Sequence, residues 1–199
     1  MIAVTACEPA EHRKKRIRLD NGITLLLYRS EAGRFHLSEG EEISEEDYEK
    51  LLQEVVGKRA KKRALHLLER MDRTEKQLRD KLREGEYPPS CIEAAIDYVK
   101  QYHYLDDFRY ACNFVRYSQE KMSRRQILLK LGQKGISKED ADRALLEEYE
   151  GDESEQIAAL LEKRHYIAGE ADPNEFRRTY QFLLRRGFQS NDILRAMKK

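Results

Sequence analysis

Three short segments constrain the fold of this chain more than any other feature. Thr74-Glu75-Lys76-Gln77, Ser123-Arg124-Arg125-Gln126 and Asp172-Pro173-Asn174-Glu175 each begin 49 residues after the last. Each has the signature of a helix start. A short oxygen-bearing side chain can accept a bond from an orphan backbone N–H, and the Gln or Glu three residues on can reach back. The third also places Pro173 at the first helical position, where its missing N–H costs nothing. A fixed period identifies a repeat architecture.

The rest of each repeat agrees. An apolar residue follows each cap (Leu78, Ile127, Phe176), and from Leu82, Leu131 and Leu183 the segments align without gaps. Tyr87, Ile136 and Phe188 then coincide, as do Ile92, Ala141 and Ile193, and Ala95, Ala144 and Ala196. Gly85, Gly135 and Gly187 stand near the end of the middle helix, where a left-handed closing residue is commonly glycine. The middle helix of the third copy is expected to be longer by three residues. The predicted fold is mostly α: a three-helix module of about 50 residues, present three times, forming an elongated curved array. Charged residues make up 38% of the 199-residue chain, well above the roughly 25% of globular domains. The core must therefore be thin. Hydrophobic residues still reach 40% and are spread along the chain, which argues against wholesale disorder.

Residues 13–37 read differently. Ile17 and Leu19 alternate with basic residues, Asn21-Gly22 follows, and then comes the apolar run Ile23–Tyr28. Asn-Gly between two such runs is a strong hairpin signal. Gly33–Leu37 is expected to add a third short strand, so the N-terminal element is a β-hairpin or three-strand unit. From Ser44, whose spacing to Asp47 resembles a capping box, the pattern turns helical and stays so. The predicted division is residues 1–43 as the β element, 44–105 as linker helix and first module, 106–150 as the second module and 151–199 as the third.

Several function classes are disfavoured. Ile23–Tyr28 is far short of the roughly 20 apolar residues of a membrane helix, and the N-terminus has its positive charges after its apolar residues, the reverse of an export signal. A cytoplasmic location with no membrane contact is expected. Cys7, Cys91 and Cys112 are odd in number and far apart, fitting neither a disulfide framework nor a zinc site; they read as reduced thiols. His36, His66, His103 and His165 are isolated from each other and from acidic partners at metal spacing. No catalytic group, cofactor or metal is expected.

Asp106 and Asp107 form a carboxylate pair where the first module hands over to the second. There a carboxylate can cap free N–H groups and meet the positive end of a helix dipole; Asp152 and Glu153 occupy the same place before the third module. An enzymatic reading, a metal-dependent nuclease or phosphoryl-transfer site, would need further carboxylates, because adjacent helix residues diverge by about 100° and no motif supplies the rest.

With the modules in register, the chain resembles the RecX family of regulators of the RecA recombinase, over about residues 58–199. The resemblance rests on Ala64–Leu82, Tyr104–Val115, Arg124–Ile136 and the tandem repeat, in that order and spacing. Where the family usually has a glycine shortly before the Arg-x-Ile step, this chain has Ser123. The resemblance implies a bacterial cytoplasmic protein without enzymatic activity; a monomer is expected. Its implied partner is the RecA–DNA filament, bound along the helical groove, with restraint of strand exchange, ATP turnover and coprotease activity.

Groove binding needs positive charge facing phosphates or an acidic protein surface. Basic residues outnumber acidic ones 12 to 8 over residues 58–105, the clearest local excess. The candidates are Lys58, Arg59, Lys61, Lys62 and Arg63 in module one, Lys121, Arg124, Arg125, Lys130 and Lys134 in module two, and Arg177, Arg178, Arg185 and Arg186 in module three. Lys121 and Arg125 are expected to share a helix face. Solvated outer faces explain any one of these equally well; the cluster carries more weight than its members. Tyr98, Tyr102, Tyr104, Tyr110 and Tyr117, interleaved with Arg109 and Arg116, either stack on exposed bases or pack the modules together. The remaining alternative is a general binder of single-stranded DNA, with double-stranded DNA a further candidate, that competes with the recombinase.

Overall fold

A computed structural model of the chain describes residues 1–198. It divides into two compact units, one ending at Asp106 and one beginning at Asp107.

The first unit opens with a four-stranded antiparallel sheet in the order β3-β2-β1-β4, formed by β1 (Ile2–Ala10), β2 (Lys14–Leu19), β3 (Thr24–Tyr28) and β4 (Glu42–Ile43). The expected hairpin is β2–β3. Gly22 supplies the left-handed residue (φ 80°), and the Asn21 side chain accepts from Ile23 N–H at 3.0 Å. Alternation decides what is buried: Ile17, Leu19, Leu25 and Leu27 lie in the core, each worth about 1.5–3 kcal/mol on full burial. The sheet is larger than the sequence suggested because β1 pairs along β2, with a bulge between Val4 and Ala6. Pro9 is tolerated there since β4 reaches only Ile2 and Ala3, so no second ladder asks for its N–H.

The third strand expected at Gly33–Leu37 does not form. Arg29–Arg34 is a short helix, α1, because the Glu31 carboxylate accepts Tyr28 N–H at 2.8 Å and starts it. Ser44 then caps α2 (Glu45–Lys50), which runs through a π-helical stretch, Leu51–Gly57, into α3 (Lys58–Arg70). Glycine is required at 57: a Cβ there would lie 2.8 Å from the Leu52 carbonyl oxygen. With α4 (Glu75–Glu84) and α5 (Pro89–Gln101), α3 completes module one and shares one core with the sheet.

Two arginines bind sheet to helices. Arg16 grips Glu86 with two bonds, 2.6 and 2.8 Å, and Arg59 bonds both Glu31 (2.8 Å) and the Leu26 carbonyl (2.6 Å).

The second unit holds modules two and three: α6 (Asp107–Ser118), α7 (Arg124–Gln133) and α8 (Lys138–Glu148), then α9 (Glu153–Lys163), α10 (Pro173–Arg185) and α11 (Ser190–Met197). Each module has its own core, around Val115, Ile127 and Leu131 in one and Ile157, Leu183 and Ile193 in the other. The middle helices α4, α7 and α10 have 10, 10 and 13 residues, the three-residue difference expected.

Thr74, Ser123 and Asp172 all accept bonds from the backbone of the helix they start. The reciprocal bond is present only between Gln77 and Thr74 N–H (3.2 Å). Asp172 instead accepts from two amides, of Asn174 and Glu175, and the Ser123 N–H is taken by the Arg186 carbonyl at 3.1 Å. The closing residues also differ from expectation. Gly135 and Gly187 have φ near 90°, but Gly85 does not; the left-handed residue of module one is Glu86, φ 56°. Glycine is kept at 85 because a Cβ would lie 2.9 Å from the Tyr87 ring. His103 and His165 close α5 and α9 with φ 56° and 54°, and the next residue reaches back to Val99 and to Leu161.

Candidate functional site

The basic residues separate by what surrounds them. In module one Arg59 is committed to Glu31, to Leu26 and to the Tyr28 ring, so its work is internal. Lys58, Lys62 and Arg63 are exposed, and Lys61 lies over the Tyr98 ring at 5.2 Å. Among the described residues none of these four has a carboxylate within 4.0 Å. Arg79 and Lys100, by contrast, are spoken for. Arg79 bonds Glu75 (2.8 Å) and Glu93, and Lys100 bonds Glu75 (2.8 Å). Burial pushes the Glu75 carboxyl up, but the bonds from Lys100 and Arg79 outweigh it and hold it below the ordinary carboxylate range.

In the second unit one backbone contact organises the charge. The bond from Ser123 N–H to the Arg186 carbonyl joins the start of α7 to the end of α10. Ser123 is fully buried, and Gly187 packs so closely that a Cβ would lie 2.5 Å from Ser123 Oγ. Arg124 and Arg125 are thereby brought to the neighbourhood of Arg185 and Arg186. Ser123 is thus both helix cap and joint.

The guanidiniums there are held by rings rather than by acids. Arg124 lies 4.5 Å from the Tyr149 ring centre, and Arg186 lies 3.8 Å from that of Phe182. Arg164, which the sequence did not single out, takes the same Phe182 ring at 4.4 Å. Among the described residues the guanidiniums of Arg124, Arg125, Arg164, Arg185 and Arg186 have no carboxylate within 4.0 Å, although the Glu153 carboxylate stands at the start of α7 and accepts the Arg124 backbone N–H at 2.9 Å; the Arg116 guanidinium, in contrast, is gripped by Glu148 at 2.7 Å. Arg186 Nε is buried with no hydrogen-bond partner. Burial, and then the neighbouring Arg164 and Arg185, lower its pKa, the mark of cations crowded without counter-charge.

Beside this cluster lies a groove of about 990 Å³, floored by Leu128, Leu129, Ile136, Leu184 and Phe188, with Arg125, Lys138 and Asp142 at its edge. Lys130 is half-buried and Arg177 and Arg178 are exposed on α10; Lys134 rests over the Tyr110 and Phe114 rings. Lys121 and Arg125 do not share a helix face. Lys121 lies in the turn after α6, bonded to the Ser118 carbonyl, and α7 begins only after Ser123. Arg116, committed to Glu148, is not available to alternate with the tyrosines.

Asp107 is the first residue of α6, and both it and Asp106 are half-buried. Among the described residues no three His, Cys, Asp or Glu side chains come together as a metal site. Among the described residues no helix is long and apolar enough to cross a membrane. Cys7, Cys91 and Cys112 are free thiols.

Models of the first, second and third three-helix domains of RecX match residues 60–98, 106–145 and 151–197. A regulatory protein RecX from Caldanaerobacter subterraneus is 32% identical over 163 residues, 81% of this chain and 80% of that one. The chain belongs to the RecX family. Regulatory protein RecX of Clostridium beijerinckii is 26% identical over 204 residues, covering 100% of this chain and 96% of the relative. RecX from Lactobacillus salivarius, solved by crystallography, is 26% identical and superposes with a TM-score of 0.59 over 72% of this chain and 95% of that one. A second crystal structure, of a regulatory protein RecX, superposes with a TM-score of 0.63 over the whole of both chains; at 24% identity it speaks for the fold. RecX is a family of regulatory proteins, and a regulatory role follows for this chain.

Proposed function

We propose that this RecX-family chain binds the RecA–DNA filament and restrains RecA's ATP turnover, strand exchange and coprotease activity, with no catalysis of its own. The observation that carries this reading is the arginine cluster where α7 meets α10. The guanidiniums of Arg124, Arg125, Arg164, Arg185 and Arg186 lack acidic partners within 4.0 Å among the described residues, and the Ser123–Arg186 backbone bond holds the start of α7, with Arg124 and Arg125, to the end of α10, with Arg185 and Arg186. A fold that pairs Arg16, Arg59, Arg79 and Arg116 with acids, yet leaves five guanidiniums of the second unit without a carboxylate, three of them (Arg164, Arg185 and Arg186) close enough to repel one another, suits an external anion. DNA phosphates and acidic side chains of a partner both fit; guanidiniums bind either through two parallel bonds. In the first unit the exposed Lys58, Lys62 and Arg63, with Lys61, form a positive surface of their own.

The alternative is a single-strand binder that acts only by competing for DNA. Binding to a preformed filament whose DNA is saturated with RecA separates the two. The filament reading expects retained binding, and replacing Arg124, Arg125, Arg185 and Arg186 by glutamate should abolish it. Loss of binding on saturated filaments by the unaltered chain would favour competition.

A further inference from the structure

The end of α5 carries a second, aromatic surface. Tyr98, Tyr102 and Tyr104 form a ladder with ring centres 4.8 and then 6.4 Å apart. Its geometry follows from the backbone. Tyr98 and Tyr102 are one helical turn apart, and the left-handed His103 turns the chain so that the Tyr104 N–H reaches the Val99 carbonyl at 2.9 Å. Tyr104 is thereby folded back toward Tyr102 instead of continuing outward.

The ladder is largely uncovered: Tyr102 is 54% and Tyr104 53% exposed, while Tyr98 is half-buried at its base. Large aromatic rings are ordinarily buried for the stabilisation that burial brings, so two adjacent exposed ones are unusual. One cation is placed at the base of the ladder. Lys61 lies over Tyr98 at 5.2 Å, and Lys58 and Lys62, on the same helix as Lys61, are exposed with no carboxylate within 4.0 Å among the described residues. Exposed rings with a lysine at their base, and further exposed lysines on that lysine's helix, match one ligand chemistry well: bases stack on the rings while phosphates meet the ammonium groups.

We propose that Tyr102 and Tyr104, based on Tyr98, stack unpaired bases of single-stranded DNA, with Lys58, Lys61 and Lys62 meeting its backbone. This deepens the filament reading and rests on its nucleic-acid half. It gives this unit a preference for unstacked strands that charge alone cannot supply.

The test compares labelled oligothymidine with an abasic strand of equal length by fluorescence anisotropy on the full chain. Stacking is worth about 1–3 kcal/mol per base, so the base-bearing strand should bind at least about 5-fold tighter. Tyr102→Ala with Tyr104→Ala should remove that advantage and leave abasic binding unchanged, whereas Tyr102→Phe with Tyr104→Phe should keep it. Equal affinity for both strands would overturn the proposal, as would an advantage that survives the alanine pair or is lost in the phenylalanine pair. RecA ATP turnover, measured with the same variants, reads the filament reading separately. Inhibition without any base advantage would sink the stacking site alone; a base advantage without inhibition would sink the filament reading alone.

Discussion

Gly187→Ala offers a quantitative test of the joint between modules two and three. Two independent costs apply. Gly187 has φ 87°, and a left-handed backbone costs an L-residue about 1–2 kcal/mol. The added methyl would also sit 2.5 Å from Ser123 Oγ, 2.8 Å from Gln126 Cβ and 3.1 Å from Gln126 N. Part of what it meets is backbone, so relief requires α7 to move, at a typical overpacking cost of about 1–3 kcal/mol. The sum is a destabilisation of about 2–5 kcal/mol. Gly132 is the control. It lies within α7 with nothing inside 4 Å of a would-be Cβ, so Gly132→Ala should stabilise by about 0.5–1 kcal/mol. Urea titrations followed by circular dichroism would show the two substitutions shifting the transition in opposite directions. A Gly187→Ala change within about 0.5 kcal/mol of the parent, the range of ordinary surface substitutions, would refute the close packing of Gly187 on Ser123.

Three further outcomes are expected. His165→Gly should stabilise by up to about 1–2 kcal/mol in the same urea assay, since it relieves a left-handed non-glycine residue on the surface; destabilisation would mean the imidazole has a role of its own. Glu75 and Glu86 have folded pKa values below their unfolded ones, Glu75 through Lys100 and Arg79 against the opposing effect of burial, and Glu86 through Arg16. Their contribution is therefore present above about pH 4.5 and is lost as the pH falls through the folded values. Glu75→Gln with Glu86→Gln should flatten the acid loss of stability between pH 6 and pH 3, on the scale of those reference values; an unchanged slope would contradict it. Reversing the charges of Lys61, Lys62 and Arg63 together should weaken filament binding and flatten its salt dependence, and unchanged affinity would place the contact on the second unit alone.

The repeat was legible because caps and closing turns are local. Thr74, Ser123 and Asp172 need only their own helix amides, so residue type and spacing suffice to find them. The fate of the Ser123 N–H was not legible, because its acceptor is the carbonyl of Arg186, 63 residues away. The left-handed closing residues at Glu86, His103 and His165 were missed for a related reason. Nothing local demands glycine where the surrounding bonds hold another residue in that conformation. Ile2–Ala10 did not read as a strand since apolar residues, Glu8 and Pro9 break the alternation, and its pairing with β2 supplies the order instead. At the site, Arg124, Arg125, Arg185 and Arg186 could be named from charge, but Arg164 could not: it reaches Phe182 from just past the end of α9 through packing. Arg59 and Lys121 show the converse. Composition placed them with the binding residues, whereas Arg59 is bonded inward and Lys121 lies in a turn.

The central claim is that this chain acts on the RecA filament itself, and RecA's ATP turnover on single-stranded DNA, titrated with the chain at two salt concentrations, tests it most directly. Inhibition at protein levels well below those that coat the DNA, persisting at the higher salt, is the predicted result. Inhibition only at coating levels, and lost at the higher salt, would contradict it and leave competition for phosphates as the whole effect.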